Sequence, residues 1–244
     1  MKQMKIAAII PSRYGSTRFQ GKPLASISGK PMIQLVYHAA SRAKSIDIVA
    51  VATDDHRIFE TVSGFGGHVI MTSGSHRSGS DRVWQAAEAL GLSDDDIVIN
   101  VQGDQPLVDP RCLEHVIEPL SGDSPIEMST LAYRIRDPQE YHNPKDVKVV
   151  MDQNGDALYF SRSPIPFGRD AKRFPTYKHL GIYAYTKRFL DVFAQLPTGQ
   201  LEAVEKLEQL RALEFGHTIR IVVTPHDSPE VDLPEDIQRI ERLL

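Results

Sequence analysis

The 244-residue chain contains a single cysteine, Cys112, and no excess of positive charge. One thiol cannot form a disulfide within the chain, which suits a reducing compartment. No obvious base stands beside Cys112 in the sequence, so we interpret it as a small buried apolar residue rather than a nucleophile. The net charge of −4 provides no overall basic field, so we expect neither a nucleic-acid partner nor attraction to anionic lipid.

Long hydrophobic runs are also missing. Lys2 and Lys5 precede only five apolar residues, IAAII, before Pro11, and this run is too short for the core of a signal peptide. No run approaches the length that is needed to cross a membrane. We therefore expect a cytoplasmic protein without a membrane partner. The composition, 41% hydrophobic and 25% charged, is that of an ordinary globular domain.

Strand and helix patterns alternate through the first hundred residues. Short apolar runs predict strands, and apolar residues at helical spacing predict the helices between them. This alternation indicates right-handed crossovers and a mostly parallel, Rossmann-like α/β sheet. The predicted strands cover residues 6–10, 48–53, 68–71 and 96–102, and the predicted helices cover residues 31–43, 55–63 and 80–90.

The middle of the chain has a different pattern, because strand-like segments follow one another with few helices between them. They cover residues 128–136, 147–151, 158–160 and 178–185. The pattern predicts either an antiparallel extension of the same sheet or a small β-rich lobe, over approximately residues 125–190. A loop with three prolines, residues 163–175, is predicted to be a mobile cover. A helix (202–215), a strand (219–223) and a helix (234–243) follow, and we predict a single domain over residues 1–244.

Ligands of such sheets bind at the carboxyl ends of the strands. That rule groups residues 11–22, 53–55 and 102–105 with Asp232 around one crevice. The first of these segments lies in the stretch PSRYGSTRFQGKPL, residues 11–24. It is not a P-loop, because five residues separate Gly15 from Gly21 and Pro23 stands where a hydroxyl residue is needed. Nor does it contain a dinucleotide-binding glycine pattern.

The same stretch nevertheless has the chemistry of a polyphosphate site. Arg13, Arg18 and Lys22 place three cations within ten residues, and the two glycines allow close backbone approach. Hydroxyl groups are available on Ser12, Ser16 and Thr17. A solvated surface loop would have a similar composition. The position after the first strand of a parallel sheet favours the phosphate site.

This stretch resembles the nucleotide loop of the nucleotidyltransferases that activate acidic sugars, most closely the 3-deoxy-manno-octulosonate (Kdo) cytidylyltransferase family. Further segments that resemble the family follow in order along nearly the whole chain. They are ATDD (52–55), SHRSGSDR (75–82), NVQGDQP (100–106), ALYFSR (157–162), KHLGIYAY (178–185), EKLEQLR (205–211) and EVDLPED (230–236).

The resemblance implies a glycosyltransferase-A-like nucleotidyltransferase fold and a transfer of CMP from CTP to Kdo, for lipopolysaccharide biosynthesis. It also implies a cytoplasmic homodimer, with sugar binding and dimerisation in the β-rich extension. By resemblance, the nucleotide-binding residues are Arg13, Ser16, Arg18, Lys22, Ser78, Gly79, Arg82 and Gln102, of which Arg13 and Lys22 are catalytic together with Asp104. Asp104 and Asp232 would bind Mg²⁺. The partners would be CTP and an acidic eight-carbon sugar, the latter contacted by Arg162, His179, Tyr183, Glu208 and Gln209.

Several of these residues have structural alternatives. Asp232, three residues before Glu235, matches a helix cap. Asp104 could be a turn residue, Arg82 a charge on the surface of a helix, and His179 a structural histidine. Glu208 and Arg211 have the spacing of a surface ion pair.

Three positions depart from the usual family pattern. Gln20 replaces a proline, which should loosen the loop, and Leu233 replaces a threonine that would cap a helix. Gln105 replaces a glutamate beside the proposed metal ligand, which leaves the identity of the acceptor open, and the 8-amino analogue of Kdo is the first alternative. A P-loop-like NTPase and a non-catalytic nucleotide-binding regulator are the remaining alternatives.

Overall fold

The computed structural model describes residues 4–15, 18–76, 78–122, 124–171 and 173–244. Strand β1, Ile6–Ser12, shows how the centre of the fold is built. Ala7 and Ile9 pack into one apolar cluster, while Ala8 and Ile10 pack into a second cluster on the other face. A strand that is buried on both faces reads as a continuous apolar run, which explains the IAAII sequence.

The elements of the amino-terminal half follow the predicted alternation. After β1 come β2 (Ser26–Ile27), β3 (Lys30–Pro31), α1 (Met32–Ala40), β4 (Ile48–Thr53), α2 (His56–Gly64), β5 (Val69–Met71), α3 (Gly79–Ala89) and β6 (Ile97–Asn100). β1 pairs in parallel with β4 and β6, and β4 pairs in parallel with β5. The predicted parallel half of the sheet is confirmed.

The carboxy-terminal half contains α4 (Pro110–Ile117), β7 (Met128–Arg134), α5 (Pro138–His142), β8 (Lys148–Met151), β9 (Ala157–Ser161), β10 (Tyr177–Thr186), α6 (Lys187–Gln195), α7 (Gln200–Glu205), α8 (Leu210–Glu214), β11 (Arg220–Thr224) and α9 (Asp236–Glu241). Two single 3-10 turns, Lys22–Leu24 and Glu118–Leu120, complete the helical elements of the described ranges.

Within the described residues, nine strands form one sheet in the order β11-β7-β10-β6-β1-β4-β5, with β8 added to β10 and β9 added to β8. Four of the six neighbouring pairs along that order are parallel, which confirms the mostly parallel α/β prediction. β10 runs antiparallel to β6, β7 and β8. Of the two alternatives for the middle of the chain, the antiparallel extension of the same sheet is therefore the one observed.

The predicted helix over residues 202–215 is wrong, because two short helices occupy that stretch. Lys206 has a left-handed backbone, with φ 56°, and ends α7. Arg211 of α8 then reaches back and donates two hydrogen bonds, of 2.8 and 2.6 Å, to the carboxylate of Glu202 in α7. The sequence analysis also missed α4 and α6, although Asp109 and Thr186 begin them with side-chain caps.

Cys112 lies on α4 and is completely buried, as predicted. Burial raises the pKa of its thiol to about 11, so the thiol stays protonated and unreactive at neutral pH. Across the described ranges, no helix combines the length and the apolar character that a membrane span requires.

Candidate active site

A cavity of about 260 Å³ opens where β1 and β6 end. Seven of the eight predicted nucleotide-binding residues line it: Arg13, Arg18, Lys22, Ser78, Gly79, Arg82 and Gln102. The eighth, Ser16, lies outside the described residues. Asp104, from the turn after β6, completes one wall. These residues come from distant parts of the sequence and meet because parallel strands end at the same edge of the sheet.

The loop that carries Arg13, Arg18 and Lys22 is shaped by a turn at Gly21. Its backbone has φ +71°, and a Cβ atom at this position would stand 3.1 Å from the ring of Tyr14. The backbone N–H of Gly21 donates to the carbonyl of Tyr14 at 2.9 Å. The guanidinium of Arg57 lies 3.3 Å from the centre of the Tyr14 ring and also pairs with Asp55. Glycine is required here because the backbone is left-handed and the tyrosine leaves little space.

Lys22 joins the two aspartates that were predicted to bind metal. Its Nζ atom lies 2.6 Å from Asp104 Oδ2 and 4.0 Å from Asp232 Oδ1. The same nitrogen donates to the carbonyl of Val231 at 2.9 Å. Arg18 approaches Asp232 Oδ1 at 3.1 Å. Two carboxylates and two cations are thus concentrated around Lys22, and Asp232 itself lines a neighbouring cavity of about 910 Å³.

The alternative that Asp232 caps the last helix is wrong. The backbone N–H groups of Asp232 and Leu233 both donate to the carboxylate of Asp236, at 2.9 Å each. Asp236 therefore closes this turn, and its pKa is lowered despite burial because the two N–H groups stabilise the charged form. The carboxylate of Asp232 remains available beside Arg18 and Lys22.

The two aspartates fit a magnesium ion that shares its coordination with a polyphosphate. Mg²⁺ usually takes only one or two protein carboxylates and fills its other positions with water and phosphate oxygens. Among the residues that the structure describes, no group of three or more His, Cys, Asp and Glu side chains could hold a metal by itself. Asp104 and Asp232 supply the number of carboxylates that Mg²⁺ takes from a protein when phosphate oxygens complete its coordination.

Arg82 is buried, with 4% of its surface exposed, so the alternative of a helix-surface charge is wrong. Its guanidinium pairs with Asp54 at 2.9 Å and donates to the hydroxyl of Thr72 at 2.5 Å. Ser78 begins α3, where its side chain and that of Asp81 form a reciprocal cap. The orientation of Arg82 toward the cavity is thus fixed from two neighbouring loops.

Two of the predicted sugar residues lie on β10, the neighbour of β6 on the side away from β1. The rings of His179 and Tyr183, both on β10, lie 5.2 Å apart. Burial lowers the pKa of His179 to about 3, so its ring is neutral at physiological pH. A ring nitrogen of His179 lies 2.9 Å from the hydroxyl of Thr130. This bond is also what a structural histidine would make, so the sugar-binding role of His179 stays a prediction.

Glu208 and Gln209 carry polar atoms that lack partners. Glu208 Oε1 and Gln209 Nε2 are buried and make no hydrogen bond within the described part of the chain. Buried polar atoms are normally paired, so such atoms are suited to receive a ligand. Burial raises the pKa of Glu208, and Arg211 lies 3.9 Å away while making its close contacts to Glu202. The alternative ion pair of Glu208 with Arg211 is present, but it is not at the surface, because Arg211 is buried.

Arg162 has a different environment from the other four predicted sugar-binding residues. Its guanidinium donates to the backbone carbonyls of Glu205, Pro144 and Lys206, at 2.9, 3.1 and 3.4 Å. These bonds hold it beside the turn that leads into Glu208. To bind a sugar carboxylate it would have to exchange some of these carbonyls for the ligand, and this role also stays a prediction.

Comparison with known proteins agrees with this geometry. The sequence model of the family described as Cytidylyltransferase matches residues 7–219. A 3-deoxy-manno-octulosonate cytidylyltransferase of Desulfosudis oleivorans is 62% identical over 242 residues, which cover 99% of this chain and 98% of that protein. The chain belongs to the cytidylyltransferase family. It is therefore a nucleotidyltransferase, and the predicted enzyme class is confirmed.

Two further relatives bear on the details. An 8-amino-3,8-dideoxy-manno-octulosonate cytidylyltransferase of Shewanella frigidimarina is 58% identical over 241 residues, 98% of this chain and 98% of that protein. A solved structure of a CMP:2-keto-3-deoxy-manno-octonic acid synthetase, complexed with CTP, is 42% identical. It covers 98% of both chains with a TM-score of 0.92, so the predicted cytidylyltransferase fold is confirmed.

The sequence analysis did not identify the residues that hold the side chains of this cytidylyltransferase site in place. Asp54 and Thr72 fix Arg82, and Glu230 accepts a hydrogen bond from Gln105 at 3.0 Å. Burial, together with the charges of Asp104 and Asp232, raises the pKa of Glu230 to about 8. Asp54 and Glu230 both lie inside segments that resembled the family, ATDD and EVDLPED, which was the available signal.

Proposed function

We propose that the protein is a Kdo cytidylyltransferase, which joins CMP from CTP to Kdo and releases pyrophosphate, for lipopolysaccharide biosynthesis. The observation that carries this proposal is the meeting of Arg13, Arg18 and Lys22 with Asp104 in one cavity beside Arg82. The relative that is 62% identical and named for this reaction supports the choice of acceptor.

The reaction is a substitution at phosphorus. The anomeric hydroxyl of the sugar forms a bond to the α-phosphorus, the bond from that phosphorus to the bridging oxygen breaks, and the hydroxyl proton is released to the solvent. Pyrophosphate leaves with the bridging oxygen. Such a step needs positioning and charge neutralisation rather than a protein nucleophile. Arg13, Arg18 and Lys22 provide the positive charge along the triphosphate.

Magnesium is the proposed cofactor. Asp104 and Asp232 would hold it, because they are the two carboxylates that pair with Arg18 and Lys22. When bound, the ion would neutralise phosphate charge and polarise the α-phosphate. Lys22 and Arg18 are the cations that balance the charge of the two aspartates.

Recognition of cytosine and of the acceptor is divided between the two groups of residues. Arg82 and Gln102 would contact the nucleoside, because both line the cavity and both are held in place. His179, Tyr183, Glu208 and Gln209 would face the hydroxyl groups of the sugar, and Arg162 its carboxylate. Unpaired polar atoms of the protein disfavour a ligand that cannot satisfy them, which gives the site its selectivity.

The protein is also proposed to act as a homodimer. Leu158 on β9 and Phe167 in the loop that follows are 62% and 87% exposed, and large exposed apolar side chains suggest a contact surface. A second copy of the chain is the proposed partner. Analytical ultracentrifugation at assay concentrations should give the mass of a dimer, and a monomer mass would contradict this part of the proposal.

The nucleotide half of the proposal predicts a preference for CTP. Pyrophosphate release should be measured with CTP, UTP, ATP and GTP, each in the presence of Kdo and Mg²⁺. CTP should be used well and the purine nucleotides poorly, because a purine cannot satisfy polar groups that are arranged for cytosine. Equal rates with ATP and CTP would contradict the proposal. Hydrolysis of nucleotide without sugar would favour an NTPase, and CTP binding without turnover would favour a regulator.

A further inference from the structure

Two glutamines flank Asp104 and both reach the same short piece of β10. Gln102 Nε2 donates to the carbonyl of Gly181 at 3.0 Å, and Gln105 Nε2 donates to the carbonyl of Leu180 at 2.6 Å. The amide of Gln105 also donates to Glu230 Oε1 at 3.0 Å. The segment QGDQ, residues 102–105, thus holds two consecutive carbonyl groups of another strand.

The contacted piece of β10 is irregular. Its pairing with β7 shifts register between His179 and Tyr183, and Gly181 has φ +67°. The shift removes the carbonyls of this segment from the regular ladder. Side chains supply the missing hydrogen-bond donors. Thr130 donates to the carbonyl of Ile182 at 2.6 Å, and the two glutamines donate to the carbonyls of Leu180 and Gly181.

The shape of this bulge decides where two of the proposed sugar contacts lie. His179 stands at its beginning and Tyr183 at its end, and their rings are 5.2 Å apart. A buried carbonyl that loses its donor is costly, so the bulge would move to find another partner. If the Leu180 carbonyl loses its donor, the spacing of His179 and Tyr183 would change while Gln102 still holds Gly181 beside the nucleotide cavity.

We propose that Gln105 is a positioning residue for the acceptor sugar. It fixes the bulge through Leu180 and the segment before Asp232 through Glu230, so the phosphate end and the sugar end of the site keep a constant separation. Gln105 is completely buried; its amide nitrogen holds these two groups, and its Oε1 atom makes no hydrogen bond within the described part of the chain. This inference rests on the proposed Kdo cytidylyltransferase function.

A glutamine is specifically suited to this position. The amide group has two N–H donors and therefore serves Leu180 and Glu230 at once. Glutamate, the usual family residue at this position, has one donor when it is protonated and none when it is ionised, so it cannot donate to Leu180 and Glu230 at once. Methionine has nearly the same length and no donor.

The test compares Gln105→Glu and Gln105→Met with the wild-type enzyme and with Gln195→Glu, a control at an exposed glutamine on α6. Steady-state kinetics should give KM for Kdo and KM for CTP separately. Gln105→Met should raise KM for Kdo by about tenfold or more, since a buried acceptor is left unpaired, and Gln105→Glu, which keeps one donor when protonated, should raise it less. KM for CTP should change less than about twofold in these variants, and the control should match the wild type.

Hydrogen–deuterium exchange provides a readout that does not depend on activity. Peptides that cover residues 178–184 should exchange faster in both Gln105 variants than in the wild type, while peptides from β1 and β4 should not change. A melting curve identifies a variant that fails to fold, in which case the other variant decides. Unchanged exchange in residues 178–184, or equal increases of KM for Kdo and CTP, would overturn the proposal. If the wild type makes no CMP-Kdo, the proposed function fails and the exchange data alone decide the role of Gln105.

Discussion

Replacing Lys22 by alanine is expected to lower kcat/KM for CTP on the order of 10²–10³-fold, which is typical for the loss of a group that stabilises transition-state charge. Lys22 is the cation at the centre of the cluster, because its Nζ atom contacts both Asp104 and the Val231 carbonyl. Without it, the α-phosphate transfer would occur beside two carboxylates with less compensating charge. Steady-state pyrophosphate release with CTP and Kdo measures the effect.

The fold of the Lys22→Ala variant should survive, because the side chain lies at a cavity wall and not in the apolar core. We expect a melting temperature within about 2–4 °C of the wild type, the change that 1 kcal/mol produces in a protein of this size. Lys30→Ala, at an exposed lysine in β3, is the matched control and should keep full activity. Near-normal kinetics of Lys22→Ala would indicate that Lys22 has no role in catalysis, as the alternative of a solvated surface loop implies.

The second large effect is expected at Asp104. Asp104→Asn keeps the size of the side chain but removes the charge that would hold Mg²⁺, and metal ions contribute several kcal/mol to the stabilisation of such transition states. Turnover should therefore fall on the order of 10³-fold, which corresponds to about 4 kcal/mol. Rates should be measured over a range of Mg²⁺ concentrations, and half-maximal activity should require more metal than in the wild type.

The same experiment needs a control for the loss of negative charge in general. Asp170→Asn serves this purpose, because Asp170 is 91% exposed in the loop between β9 and β10. It should match the wild type in both rate and Mg²⁺ dependence. If Asp104→Asn is active at the Mg²⁺ concentration that suits the wild type, the metal site has been assigned to the wrong residue.

The parallel half of the sheet could be predicted because its strands are buried on both faces, as Ala7, Ala8, Ile9 and Ile10 show. Such strands read as uninterrupted apolar runs between clear helical patterns. The convergence of the nucleotide residues could also be predicted, since parallel strands end at one edge. The start of α4 could have been found as well, because Asp109 followed by Pro110 is a strong start signal.

Other features depend on tertiary contacts that no local pattern reports. The break between α7 and α8 occurs at Lys206, a residue type that rarely adopts a left-handed backbone. The pairing of Arg82 with Asp54 joins the ends of distant segments, and neither residue alone differs from a surface charge. The hydrogen-bond donors of Gln102 and Gln105 are needed because β10 shifts register against β7. The only sign of that shift in the sequence of β10 is one glycine, which does not by itself predict it.

Cytidylyl transfer to Kdo is the central claim, and a direct competition between acceptors tests it. The protein should be given CTP, Mg²⁺ and equal concentrations of Kdo and its 8-amino analogue, and the nucleotide sugars should be quantified by mass spectrometry. The proposed function predicts CMP-Kdo as the main product, with one pyrophosphate released for each sugar converted. A product ratio that favours the amino sugar by more than about tenfold, or roughly 1.4 kcal/mol in transition-state binding, would contradict it.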